Sequence, residues 1–268
     1  MIFQTRTYSY YADGAYRNDE KTGLIMLHGF MGCGAVFSHL GDPLSNTSSP
    51  LFLDLLGHGE TDKPKAPNAY KTENQCRELR QIIENSGFQK PFLYGYSMGG
   101  RLALQFAIRN PDAISGLILE SCTAGIRNES EREKRASQDE KRASEIERNY
   151  EHFLLKWNKM DLFGEKFSAD RALTEAFQES QETDCMAACL RGFGTGVMPQ
   201  VWDKLPDLDI PVQLIAGDRD TKFATIMMEM ETLLPQANLR VITGASHRTH
   251  LDQPEMLTDV ISEFITQY

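Results

Sequence analysis

The 268-residue sequence predicts an α/β fold, a mostly parallel central sheet covered by helices. Two observations carry that reading. Short apolar runs alternate with helical patterns along most of the chain. Several of these runs, such as GLIML and PFLYG, are apolar throughout, as strands buried on both faces should be.

Taken in order, Ile2–Tyr11 (IFQTRTYSYY) reads as an N-terminal antiparallel strand. GLIMLHGF gives a buried strand ending in a glycine-bearing loop, and LFLDLLGHGE repeats the design. Tyr70–Ser86 reads as a helix and PFLYGYS as a third buried strand. RLALQFAIRN is a helix that turns Leu102, Ala103, Phe106 and Ala107 toward the sheet, followed by the strand GLILES. The alternation resumes with IPVQLIAGDRD, a helix from about residue 222, NLRVITGASH and a last helix after Pro254.

Between residues 125 and 205 the pattern changes. Basic and acidic residues alternate from Arg127 to Glu151 with few apolar ones, as on a solvated helix face. Trp157, Leu162, Phe163, Phe167, Phe177 and Phe193 then supply enough apolar surface to pack. The expected organisation is a core in two parts, 1–124 and 206–268, interrupted by a helical cap at 125–205 that shapes a substrate cavity.

The formal charge of −10 disfavours nucleic acid and anionic membranes as partners, because the summed field repels them. Five cysteines, with no C-x-x-C pair, suit reduced thiols better than a disulfide framework. The sequence opens without a basic-then-apolar leader, and no apolar run approaches membrane-spanning length. A soluble, cytoplasmic protein is expected.

Gly95-Tyr96-Ser97-Met98-Gly99 is a G-x-S-x-G motif with a buried strand before it and a helix after it. A sharp turn of this kind needs small flanking residues and lifts the serine oxygen above the sheet. The Met98 N–H, at a helix N-terminus, then points toward bound negative charge. An acid and a histidine should follow in that order. Asp220, after the strand VQLIA, is the acid, with Asp218 its competitor as a loop or cap residue. His247, after RVITGAS, is the histidine, and Ser97, Asp220 and His247 form the candidate catalytic triad. His250 invites a metal reading through H-x-x-H, but no third ligand has suitable spacing, so neither metal nor cofactor is expected. His28 and His58 read as structural, fixing their loops. The order of these parts resembles the α/β-hydrolase fold, which implies a second oxyanion donor from the loop HGFMG, here the Phe30 N–H.

The resemblance extends further. GYSMGGRLAL, LHGFMG, ESCTAGIRNESEREKRASQDEKRA and RGFGTGVMPQVWDKL resemble the 2-succinyl-6-hydroxy-2,4-cyclohexadiene-1-carboxylate (SHCHC) synthase family of menaquinone biosynthesis, and the similarity covers nearly the whole chain. It implies a lyase that removes a proton from 2-succinyl-5-enolpyruvyl-6-hydroxy-3-cyclohexene-1-carboxylate and expels pyruvate, with Ser97 as the base. It also implies that Arg101, Arg135, Tyr96 and Trp157 contact this small polycarboxylate. Arginine suits carboxylate recognition because its fork binds both oxygens.

Three positions depart from the family pattern. Leu56 stands where a turn proline is usual, and Ser246 where glycine usually precedes the histidine, which could displace His247. Gln178 aligns with another carboxylate-binding arginine, so Arg171, Arg191 or a lysine should compensate, or the substrate lacks one carboxylate. The neutral Gln178 keeps open a second reading, a serine hydrolase acting on an ester, thioester or carbon–carbon bond of a related acid. A non-catalytic binding protein is the third, against which the intact triad argues.

Overall fold

A computed structural model describes every residue except 16, 17, 19, 161 and 163–168, and excludes the side chains of 169–173. Among the described residues, eight strands form one sheet in the order β1-β2-β4-β3-β5-β6-β7-β8. These are β1 (Ile2–Gln4), β2 (Ser9–Asp13), β3 (Gly23–Leu27), β4 (Ser49–Leu53), β5 (Phe92–Tyr96), β6 (Gly116–Glu120), β7 (Val212–Gly217) and β8 (Ala237–Ile242). From β4 to β8 every pairing is parallel, while β1 and β2 pair antiparallel at one edge.

The expected single strand at residues 2–11 is instead a hairpin. Thr5 N–H donates to the Tyr8 carbonyl at 2.9 Å, and the Thr5 hydroxyl donates to the same oxygen at 2.8 Å. This local turn reverses the chain and sets Ile2 opposite Tyr11.

Alternation along the strands divides the core between the two faces of the sheet. Ile25, Leu27, Leu93, Leu117 and Leu214 pack on one face, and Leu24, Met26, Tyr94, Ile118 and Ile215 on the other. The helices in chain order are a single turn α1 (Gly41–Leu44), α2 (Thr72–Ser86), α3 (Met98–Arg109), α4 (Glu129–Arg148), α5 (Tyr150–Trp157), α6 (Ala169–Glu179), α7 (Thr183–Phe193), α8 (Thr221–Leu233), a short α9 (Thr249–Asp252) and α10 (Pro254–Gln267). Pro254 starts α10 at a position where its missing N–H costs nothing.

Helices α4 to α7 lie between β6 and β7. Asn128 caps α4 by accepting the Glu131 N–H at 2.9 Å. Only Asp139, Ala143 and Ile146 of this helix are buried, so most of its charges face solvent, as the sequence suggested. Ala143 and Ile146 join Phe153, Leu154, Met186 and Leu190 in a separate apolar cluster that includes Met31 from the loop after β3. That cluster joins α4, α5 and α7 to the loop after β3. Phe163 and Phe167, expected to pack there, lie outside the described residues.

Candidate active site

The turn from β5 into α3 is built around close backbone contacts. Ser97 has φ 50° and ψ −103°, a left-handed conformation that costs a non-glycine residue on the order of 1–3 kcal/mol. Packing holds it there. A Cβ on Gly95 would lie 2.5 Å from the Gly99 carbonyl oxygen, and one on Gly99 would lie 2.2 Å from that of Leu27. Glycine at both positions lets the helix start sit directly on β3 and β5. Ser97 N–H donates to the Glu120 carbonyl at 2.9 Å, which ties the turn to β6.

The three residues selected from sequence order meet here. His247 Nε2 lies 3.1 Å from Ser97 Oγ, and its Nδ1 lies 2.6 Å from Asp220 Oδ2. His247 and Asp220 are both buried. Burial lowers the pKa of His247 below the ordinary imidazole value even though the Asp220 hydrogen bond opposes the shift. The ring is therefore neutral near pH 7. With Nδ1–H donated to Asp220, its Nε2 lone pair faces the serine hydroxyl, the arrangement required of a general base.

Asp218 takes no part in this contact. Its Oδ1 accepts the Gly244 N–H at 2.9 Å and so tethers the loops after β7 and β8. Ser246 does not displace His247, because its N–H and hydroxyl both bind Asp252 Oδ2, at 2.7 and 2.5 Å, and anchor the histidine loop. Leu56 is buried and its carbonyl accepts from His58 Nδ1 at 2.9 Å. The His28 ring bridges two loops: Nε2 accepts the Leu55 N–H at 3.0 Å, which leaves Nδ1 to donate to the Gly29 carbonyl at 2.7 Å. His250 Nδ1 is engaged by the buried Glu120 carboxylate at 2.9 Å. Burial raises the Glu120 pKa, but His250, Thr249 and Tyr94 more than offset this and leave it lowered.

A cavity of about 590 Å³ opens above Ser97. Phe30 and Met98 both line it, and neither backbone N–H has an acceptor among the described residues. Gly32 N–H closes a turn onto the Gly29 carbonyl at 3.1 Å with Met31 at φ 61°, which shapes the loop bearing Phe30. Two donors beside a serine oxygen are what stabilisation of a developing oxyanion requires.

The residues that the resemblance assigned to substrate contact also line this cavity: Tyr96, Arg101, Arg135 and Trp157. The Tyr96 ring meets His247 edge-on at 5.5 Å, and Trp157 meets Phe30 edge-on at 5.8 Å. Arg101 Nη1 donates to the Phe193 carbonyl at 2.8 Å, and its guanidinium lies 5.1 Å above the Phe193 ring. Among the described residues no carboxylate lies within 4.0 Å of it. Burial, followed by the nearby Arg135 charge, lowers the Arg101 pKa to about 10, which still leaves it cationic at neutral pH. Arg135 Nε sits 2.8 Å from Asp139 Oδ1.

Gln178 does face the cavity, where its Oε1 accepts from Asn158 Nδ2 at 2.9 Å. Arg191 does not compensate for it. That guanidinium is held by Glu140 at 2.8 Å and by Glu147, outside the cavity. The side chain of Arg171 lies outside the described residues. Sequence reasoning missed Arg142, Arg127, Lys222 and Arg248, all of which line the cavity. Of these, Arg127 is paired with Glu229, and Glu131 adds an acid to the same lining.

The strained serine turn, the relay to a buried aspartate and the parallel sheet define an α/β hydrolase, and a family model described as the alpha/beta hydrolase fold matches residues 23–254. A Bacillus subtilis protein provisionally named 2-succinyl-6-hydroxy-2,4-cyclohexadiene-1-carboxylate synthase is 36% identical over 252 residues, 92% of each chain. A Citrobacter koseri protein with the same synthase name is 25% identical, covering 90% of this chain and 93% of its own length. The solved structure of MenH from S. aureus matches with a TM-score of 0.90 at 29% identity, over 97% of this chain and 98% of that one. This chain belongs to the SHCHC synthase family. Membership makes it an enzyme of the lyase type on a hydrolase scaffold. An esterase from Exiguobacterium antarcticum, 16% identical with a TM-score of 0.82, shares the fold.

Proposed function

We propose that this protein eliminates pyruvate from 2-succinyl-5-enolpyruvyl-6-hydroxy-3-cyclohexene-1-carboxylate to give SHCHC, a step of menaquinone biosynthesis. The observation that carries the reading is the serine–histidine–aspartate relay opening into a cavity walled by Arg101 and Arg135. Neutral His247 accepts the Ser97 proton, and the serine oxygen removes a ring proton from the substrate. The electron pair left on the ring forms a new double bond as the bond to the enolpyruvyl oxygen breaks. The departing enolate of pyruvate collects a proton, and the relay returns to its starting state. The Phe30 and Met98 amides stabilise the oxyanion that develops while the ring conjugates; removing one such donor costs about 3 kcal/mol of barrier. Arg101, Arg135, Tyr96 and Trp157 hold the carboxylates and the ring so that the proton faces Ser97. Every catalytic group named comes from the protein chain.

The cytoplasm is the compartment proposed. All five cysteines are buried and unpaired, and no helix among the described residues is long and apolar enough to cross a membrane.

Purified protein given the enolpyruvyl precursor should release pyruvate, read by coupled reduction with lactate dehydrogenase, and Ser97→Ala should abolish release. Turnover of a p-nitrophenyl ester without pyruvate release would instead establish the hydrolase reading that the neutral Gln178 favours.

A further inference from the structure

Helix α4 presents a pair of arginines to the cavity, seven residues apart and so on one face: Arg135 and Arg142. Asp139 lies between them and serves both. Its Oδ1 is 2.8 Å from Arg135 Nε and 3.2 Å from Arg142 Nη1, while its Oδ2 accepts the Gly196 N–H at 3.3 Å. One carboxylate is thus divided among two guanidiniums and an amide. Arg101, which lines the same cavity and feels the Arg135 charge, contributes a third guanidinium with no carboxylate in contact among the described residues. Three guanidiniums thus face the single carboxylate of Asp139 on this wall; Glu131, in the first turn of the same helix, is a second acid in the lining.

Arg142 is the more weakly held of the α4 pair. It bonds Asp139 through Nη1 at the longer distance, and Nε and Nη2 have no acceptor among the described residues. Its guanidinium lies 5.9 Å from the centre of the Trp157 ring, which places its charge beside that ring. Trp157 is followed by Asn158, whose amide holds the neutral Gln178. Arg142 therefore brings charge to the Trp157 side of the cavity, where Gln178 brings none.

We propose that Arg142 is a specificity-determining residue that binds a carboxylate of the substrate beside Trp157, with Arg101 and Arg135 taking the others. The choice of a polycarboxylate as substrate rests on the lyase reading given above. The pairing of Arg142 with a carboxylate rests on the geometry of α4.

Two measurements test it on the full chain. In pyruvate release, Arg142→Gln should lower kcat/KM about 10- to 100-fold, mainly through KM, as expected for a lost charge-assisted contact. Arg142→Lys, which keeps the charge and loses the fork, should fall between, and Arg148→Gln on the exposed side of the same helix should match the parent. In a binding titration, benzene-1,3,5-tricarboxylate should quench the fluorescence of Trp157 and Trp202, which both line the cavity. Arg142→Gln should weaken that binding about tenfold and leave benzoate binding unchanged. Protein that binds the tricarboxylate through Arg142 but releases no pyruvate would overturn the lyase reading alone. Unaltered KM and unaltered tricarboxylate affinity in Arg142→Gln would overturn the role of Arg142. So would a parent protein that fails to bind the tricarboxylate at millimolar concentration and releases no pyruvate. Should Arg142→Gln fail to fold, Arg142→Lys decides on the same two readouts.

Discussion

The Asp220 carboxylate divides its two oxygens between catalysis and folding: Oδ2 holds His247 Nδ1 at 2.6 Å, and Oδ1 accepts the Phe223 N–H at 3.3 Å to cap α8. These tasks separate on substitution. Asp220→Asn keeps a capping oxygen but loses the charge that fixes the histidine tautomer. It should lower kcat by about 10³–10⁴ with little change in thermal stability. Asp220→Ala should show the same loss of rate and, in addition, about 1 kcal/mol of instability from the lost cap. Steady-state kinetics and thermal denaturation of both variants check this.

The depressed pKa of His247 sets the sign of the pH dependence of catalysis. A base must be neutral to act, so the rate should fall on acidification as the ring protonates. Because burial lowers the pKa, that fall should centre below about 6.5, and the rate should be flat between pH 7 and 8. A log kcat profile with its acid limb above pH 7 would contradict the buried, neutral ring.

Two other histidines govern acid stability. Burial lowers the pKa of His28 to about 4 and that of His58 to about 3, the latter with help from the neighbouring His28. In the unfolded chain both would titrate near 6.5, so between about pH 6.5 and these lower values the unfolded state binds more protons. Stability should therefore be constant with respect to these groups above pH 7 and fall as pH drops from 6.5 toward 4. Below the folded-state values the loss levels off. The loss can reach about 3 kcal/mol for His28 and about 5 kcal/mol for His58, since every tenfold loss of proton affinity on folding corresponds to about 1.4 kcal/mol. Urea denaturation across that range, with proton NMR of the two imidazoles, reads both the slope and its origin.

Gly99→Ala tests the close seating of α3. The added methyl would meet the Leu27 and His28 carbonyls at 2.2 and 2.6 Å, and backbone cannot swing aside as a flexible side chain can. A loss of about 1–3 kcal/mol in stability is expected, together with a larger loss of activity because Ser97 moves with the helix start. Activity lost in proportion to unfolded protein alone would show that the turn tolerates the shift.

Much of this architecture was legible in the sequence because it rests on local chemistry. A serine between glycines after a buried strand, and an acid and a histidine after later strands, define their positions by the turns that carry them. Asp220 was selected for its place after the strand VQLIA, but the helix cap, a role considered for Asp218, belongs to Asp220 as well. The hairpin at the N-terminus was not, since the Thr5 hydroxyl bond that reverses the chain leaves no glycine or proline to mark it. Arg135 was reachable only through resemblance, and Arg142 not at all. In a helix of alternating charges, the face that turns inward is decided by the packing of α4 on α7, not by composition. The anchoring of Ser246 by Asp252 likewise depends on how a loop folds back, and it leaves His247 within 3.1 Å of Ser97.

The four-helix insert has an evolutionary consequence. The strand ends carry the serine–histidine–aspartate relay, while α4 carries two of the guanidiniums that line the cavity. Mutations in the insert can thus change which acid is recognised without touching the parts that move protons. The two histories can diverge, and a lineage could inherit its chemistry from one segment and its diet from another.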